Sequence, residues 1–196
     1  MKHIFVETNF LVDLLRPFPS PEALALYARN DGTSVRLYVP WCSQAEASRT
    51  MTTIIKADLG FTDAMMKFAL GRWRVDRTLF DKAEIEKVKA IAERDRREAL
   101  DTIDQRIRDH VARMTRIDPS PAVVARTIQL FAVKALKPFD EMVLGAVLTK
   151  ASELYGAGER DLTFCELDRD LASKHPPLVN EYARCGLNVV QGFDVP

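Results

Sequence analysis

The stretch HIFVETNFLVDLL, His3–Leu15, decides how the chain is read. Ile4, Phe5 and Val6 have strand-forming character and run straight into a carboxylate, Glu7. Thr8 and Asn9 follow, and the apolar residues from Phe10 to Leu15 then have helical rather than alternating spacing. A buried strand that delivers an acid at its carboxyl end and turns at once into a helix is a common way to build a site. In open α/β sheets, ligands sit just outside the carboxyl ends of the strands. Glu7 can equally be a solvated strand end, with Thr8 or Asn9 capping the helix. What separates the two readings is whether other acids converge on the same edge.

The bulk composition narrows the class. A chain of 196 residues suffices for one α/β domain with an elaboration and is too short for two large domains. Lys and Arg balance Asp and Glu, 28 against 28, so no broad electrostatic grip on nucleic acid is expected. The three cysteines, Cys42, Cys165 and Cys185, are odd in number and widely spaced. They predict free thiols in a reducing compartment and neither a disulfide framework nor a zinc site. Glu7 and Asn9 interrupt the first apolar run too early for a signal peptide, and no run is long enough for a membrane span. The expectation is a cytoplasmic protein.

Outward from the opening stretch, strands alternate with helices. Ser20 with Pro21 starts a helix to about Arg29, and Asn30-Asp31-Gly32 marks a turn. Val35–Val39 reads as a second strand, followed by a helix from about Ser43 to Lys56. A further helix from Gly60 to about Leu70 is expected to stop at Gly71. Phe80–Arg116 contains no Gly or Pro and repeats apolar residues at intervals of three and four, which predicts one long helix or a hairpin of two. Its balanced charges predict a solvated face laced with i,i+4 pairs. Arg94, Arg96, Arg97, Arg106, Arg108 and Arg113 would be the contacts if this stretch instead met nucleic acid. Helices at Ala122–Ala135 and Phe139–Tyr155, a strand at Leu162–Cys165, a short helix from Pro176 and a last strand at Leu187–Val190 complete the pattern. Such alternation predicts a parallel sheet covered on both faces. No glycine-rich nucleotide loop is present.

Four acids fall where that topology gathers side chains. Glu7 ends the first strand. Glu46 lies early in the helix after the second strand, where Ser43-Gln44-Ala45-Glu46 also fits a capping box. Asp140 shares a helical face with Val143, Leu144, Val147, Leu148 and Ala151, which points it inward and neighbouring Glu141 away. A carboxylate on an apolar face is costly without a partner. Asp168 follows the strand at Leu162–Cys165, and spacing alone does not separate it from Asp170. The Asp140 helix runs into that strand, so its amino end returns to the shared carboxyl edge. Four like charges that close would raise one another's pKa, and a divalent cation removes the conflict. All-oxygen ligation without clustered His or Cys selects Mg²⁺ or Mn²⁺. Metal-assisted phosphodiester hydrolysis is the chemistry such a site performs.

These residues resemble the PIN-domain family of nucleases, and toxin-type PIN endoribonucleases in particular. Val6-Glu7-Thr8-Asn9 is similar to the family's opening Asp-Thr-Asn or Asp-Ser-Asn strand end, with Glu7 in place of the Asp. Glu46 resembles the Glu of the family's second conserved helix, Lys137-Pro138-Phe139-Asp140 the start of a later amphipathic helix, and Asp168-Arg169-Asp170-Leu171 the closing Asp-x-Asp motif. The resemblance covers roughly residues 1–49 and 138–190. It implies a three-layer α/β/α sandwich around a parallel sheet and a single PIN-like domain over 1–196; the helical region at 60–117 departs from the family pattern and is read as an insertion for partner or substrate selection or for dimer contact. The resemblance also implies Mg²⁺ or Mn²⁺ held by Glu7, Glu46, Asp140 and Asp168, with Asn9 and Asp170 in support. The function implied is a metal-dependent endoribonuclease acting on RNA, as the toxin of a toxin–antitoxin pair, with an antitoxin partner and a homodimeric state. The rival reading is a catalytically silent PIN-like module that binds RNA or protein through the helical insertion. Glu7 in place of Asp and the neutral net charge favour that rival.

Overall fold

The structure, a computed structural model, describes residues 1–76, 81–130, 136–167, 171 and 176–195. Its frame is a five-stranded sheet with every neighbouring pair parallel. The strands are β1 (Lys2–Val6), β2 (Val35–Pro40), β3 (Thr115–Ile117), β4 (Leu162–Glu166) and β5 (Leu187–Gln191), in the spatial order β3-β2-β1-β4-β5. The helices are α1 (Thr8–Leu15), α2 (Pro21–Ala28), α3 (Trp41–Val75), α4 (Lys82–Val111), α5 (Pro121–Leu130), α6 (Pro138–Gly156) and α7 (Pro176–Arg184). The expected α/β sandwich around a parallel sheet is therefore the fold observed. No helix among the described residues is long and apolar enough to cross a membrane.

Parallel strands buried on both faces need apolar residues at successive positions, and β1 supplies them. Phe5 and Tyr38 stack at 5.1 Å and join Leu162 and Phe164 against Val143, Leu144 and Val147 of α6. The alternate residues Ile4, Val6, Leu37 and Val39 point to the other face and are equally buried. Right-handed crossovers assign α1 and α2 to that second face, because β1→β2 runs opposite to β3→β4 across the sheet. At the amino edge, His3 Nδ1 and the Tyr38 hydroxyl share a hydrogen bond of 3.0 Å. Ser20 caps α2 as expected by accepting from the Ala23 amide at 3.2 Å, and its own hydroxyl donates to Asp13 at 2.5 Å.

Two expectations differ from what is observed. Gly60 and Gly71 do not stop a helix: α3 runs through both to Val75. Both are exposed, and a glycine costs only about 1 kcal/mol in a helix interior, so the long helix tolerates them. The helix expected to reach Arg116 ends at Val111, and Thr115–Ile117 instead forms β3 against Tyr38–Pro40. Three residues, one of them charged, carry too little periodicity to announce a strand. The expected helix ends at Phe80 and Ala135 lie outside the described residues.

By internal packing the chain divides into two units, Met1–Ala47 with Ile107–Pro196, and Ser48–Arg106. The first holds the sheet. The second is an antiparallel pair made by the later part of α3 and most of α4. Its helices are cross-linked by a hydrogen bond from the Ser48 hydroxyl to Asp104 at 2.6 Å, by Arg96 donating to the Thr62 hydroxyl, and by Lys82 lying 5.6 Å above the Trp73 ring. The expected i,i+4 pairs are present as Lys82–Glu86 and Lys89–Glu93, each at 3.5 Å.

Within the sheet unit, α5 and α6 approach closely at Gly145. A Cβ built there would lie 2.1 Å from Thr127 Oγ1 and 3.1 Å from Thr127 Cα. Thr127 can rotate its hydroxyl but cannot move its backbone, so Gly145→Ala forces the helices apart. Overpacking of this kind costs about 1–3 kcal/mol. Urea denaturation followed by circular dichroism should show that loss for Gly145→Ala. Adding Thr127→Ala in the same background should recover only part of it.

Candidate active site at the carboxyl edge of the sheet

The connectivity fixes where a site belongs. From central β1 the chain moves to β2 and β3 on one side, then crosses back to β4 and β5 on the other. The strand order therefore reverses between β1 and β4, and the crevice outside their carboxyl ends is the ligand position in sheets of this kind. Val6 pairs with Cys165, so the residues that follow, Glu7 and Glu166, stand side by side on the two lips of the crevice. Both are buried, at 4% and 0% exposure.

Glu7 is the N-cap of α1, and its Oε2 accepts from the Asn9 amide at 2.8 Å. That role falls to Glu7 rather than to Thr8 or Asn9. Its other oxygen, Oε1, is buried without a hydrogen-bond partner among the described residues. Burial drives the Glu7 carboxyl from 4.5 up to about 7, hydrogen bonds from Asn9 oppose the rise, and repulsion from Glu46 and Glu166 adds to it. Glu46 is half-buried and accepts from the Thr8 hydroxyl. The capping-box alternative for Glu46 is lost because α3 begins at Trp41, two residues before the position the box requires of Ser43. The Ser43 hydroxyl is instead buried inside the helix without a partner among the described residues. Among those residues neither Glu7 nor Glu46 makes an ion pair.

Asp140 is the third residue of α6, and its carboxylate accepts from the Lys137 amide at 3.4 Å in a capping box. Five residues link the end of α6 to β4, and the helix packs against β2, β3 and β4, so its amino end lies toward the carboxyl edge. The expected rotation is corrected here: Glu141 is buried and Asp140 only half-buried. The reason is that α6 is enclosed on more than one side, with every residue from Val143 to Leu148 buried. A single apolar face therefore does not describe it. Asp168 and Asp170 lie outside the described residues. Among the described residues, no three His, Cys, Asp or Glu side chains come together as a metal-binding group.

One member of the crevice, Glu166, escaped the sequence reading, which ended the strand at Cys165 and took the next acids along. A signal existed: Ile4-Phe5-Val6-Glu7 and Thr163-Phe164-Cys165-Glu166 share one pattern, an apolar strand closing on a glutamate. The acids that repel one another at this crevice are Glu7, Glu46 and Glu166, near enough to raise the Glu7 pKa but, among the described residues, not drawn together into a metal-binding group. Carboxylate oxygens suit a hard divalent cation.

No protein-family model and no curated protein matches the chain. Among solved structures it is similar to the crystal structure of FitAcB from Neisseria gonorrhoeae, with a TM-score of 0.46 and 13% identity over 98% of this chain and 99% of that one.

The Glu7 shift has a direct consequence for stability. A carboxyl whose folded pKa lies above its unfolded value binds more protons in the native state, so stability falls as pH rises through that interval. For Glu7 the interval runs from 4.5 to about 7. At 1.36 kcal/mol per pKa unit, the loss is about 3 kcal/mol at most. Glu7→Gln keeps an acceptor for the Asn9 amide and carries no charge. In chelator-treated buffer, denaturation at pH 5 and pH 8 should show the variant gaining stability relative to the native chain at the higher pH. Parallel pH profiles for the two proteins would contradict the assignment.

Proposed function

We propose that the chain is a metal-dependent endoribonuclease. The observation that carries this reading is the pair of buried glutamates, Glu7 and Glu166, on the two lips of the switch-point crevice, with one Glu7 oxygen unsatisfied. The ordered resemblance to PIN-domain nucleases supports it. In this reading Glu7, Glu46, Asp140 and Asp168 hold Mg²⁺ or Mn²⁺, with Glu166 added to the set. The bound cation supplies a polarised phosphoryl oxygen and a more acidic water.

The chain's own residues do the remaining work. Asn9 fixes Glu7 by donating to Oε2, which leaves Oε1 without a hydrogen bond among the described residues. Thr8 holds the Glu46 carboxylate by its hydroxyl. A cation bound there would offset the repulsion from Glu46 and Glu166 and favour the ionised form of Glu7. Glu166, the most buried of the group, adds negative charge at the same point. The same reading makes the chain the toxin of a toxin–antitoxin pair, with a small protein antitoxin as partner.

A second reading keeps the fold and removes the chemistry. Glu7 spends one oxygen on capping α1, and Glu46 is engaged by Thr8, as expected of a silent module that binds RNA or protein. Calorimetric titration with Mn²⁺ and an RNA cleavage assay separate the two. The nuclease reading expects saturable Mn²⁺ binding, metal-dependent cleavage, and a loss of about 10²–10⁴ in turnover for Glu7→Gln or Asp140→Asn with unchanged circular dichroism. Absence of saturable Mn²⁺ binding and of cleavage would favour the silent module, and unchanged turnover in either variant would overturn the assignment of that residue.

A further inference from the structure

The helical unit Ser48–Arg106 carries an apolar face that its own pairing leaves uncovered. Along α3, Phe61, Met65, Phe68 and Val75 are 69%, 51%, 65% and 83% exposed. On α4, Val88 and Ile91 are 53% and 41% exposed. With Arg72, the α3 residues recur at steps of four, three, four and three. Glu84, Val88 and Ile91 on α4 step by four and three. That 3.5-residue period is the seam of helix-on-helix packing rather than the broader stripe of a helix lying on a sheet.

Both seams lie on one side of the hairpin. Thr62 and Trp73 mark the side of α3 turned to its neighbour, and Arg96 the corresponding side of α4. At 100° per residue the α3 seam lies somewhat more than a right angle from that contact line in one sense. The α4 seam lies about as far in the same numerical sense on a helix of opposite direction. Reversing the direction reverses the sense, so the two seams face the same way. The cross-links at Thr62–Arg96 and Trp73–Lys82 also set the level, placing Phe68 beside Val88, Met65 beside Ile91 and Arg72 beside Glu84.

We propose that this face binds a second copy of the chain, with α3 of each copy packed on α4 of the other. A two-fold axis running along the hairpin lays one face on another in register, so each contact occurs twice, as an isologous interface requires. Phe68 then meets the partner's Val88, and Met65 the partner's Ile91. Arg72, set within one seam, comes opposite the partner's Glu84, set within the other. Neither Arg72 nor Glu84 makes an ion pair within its own chain among the described residues, so the complementarity is available to a partner. The six apolar residues expose roughly 600 Å² at the areas such side chains present. With the stems of Arg72 and Glu84 this approaches the ~800 Å² per partner of a standard interface. It reaches the upper end of the ~300–600 Å² patch seen on ordinary monomers. The inference does not depend on the nuclease reading.

Sedimentation-velocity and light-scattering measurements on the full chain test it. The native protein is expected to be a dimer at micromolar concentration. Phe68→Glu should raise the dimer dissociation constant by at least roughly a hundredfold, because it buries a charge at the centre of the seam. Unchanged far-ultraviolet circular dichroism would show that the helices persist. Arg72→Glu should weaken the dimer, and the double exchange Arg72→Glu with Glu84→Arg should restore it. A monomeric native chain, a dimer indifferent to Phe68→Glu, or failure of the double exchange to restore association would each overturn the proposal.

Discussion

The structure depends on β1 being hydrogen-bonded on both sides. Its register with β2 runs from Lys2↔Val35 to Phe5↔Tyr38, and with β4 from His3↔Leu162 to Val6↔Cys165. A strand held in that way has no free edge and no exposed face, so its sequence must be apolar until the sheet ends. The first residue past the last pairing, Glu7, is therefore placed by backbone hydrogen bonds rather than by its own preferences. The same ladder positions Glu166, because a parallel register that matches Val6 with Cys165 must bring the next two residues together. Two glutamates that would separate in solution are gathered by main-chain pairing alone.

That gathering is unfavourable in itself. Burying a carboxyl disfavours its charged form, and adding two like charges disfavours it further. Glu7 recovers part of this through the amide and side chain of Asn9, which oppose the shift without cancelling it. A residue kept in such a place against electrostatic cost fits the general rule that perturbed carboxyls in crevices cluster at functional sites. The cap on α1 explains how the fold tolerates a buried Glu7. One oxygen saturates an orphan amide at the start of a helix, where negative charge is welcome, and the other remains available.

Legibility in the sequence followed how local each determinant is. The strand–acid–helix sequence at Val6-Glu7-Thr8 was readable because burial, turn and cap are all encoded within a few neighbouring residues. The parallel sheet was readable because strands and helices alternate. Glu166 was not, since a glutamate inside a strand is buried only through the strands beside it, and no local pattern reports neighbours. Asp140 and Glu141 exchanged their expected exposures because α6 is packed by α5 as well as by the sheet, as the close contact of Gly145 with Thr127 shows. The continuity of α3 through Gly60 and Gly71 was hidden for the opposite reason. Each glycine is a weak local breaker, and thirty-five residues of helix outweigh two small penalties.

The helical hairpin follows a different logic from the sheet. Two helices in contact can bury one stripe each, and the described contacts between α3 and α4 are largely polar or amphipathic: Thr62 with Arg96, Ser48 with Asp104, Lys82 over Trp73. Met51, Ile55 and Ile103 of the unit are buried, while Phe61, Met65, Phe68, Val75, Val88 and Ile91 lie on the open side. A pair built this way gains little from burial on its own, since most helical stability in proteins comes from packing an apolar face against something. In the sheet unit the apolar residues turn inward and the acids are left at one edge; in the hairpin a second set of apolar residues is left exposed. The first arrangement makes a crevice in which buried carboxyls repel one another. The second makes a face with unsatisfied area, which calls for another helix pair of the same spacing.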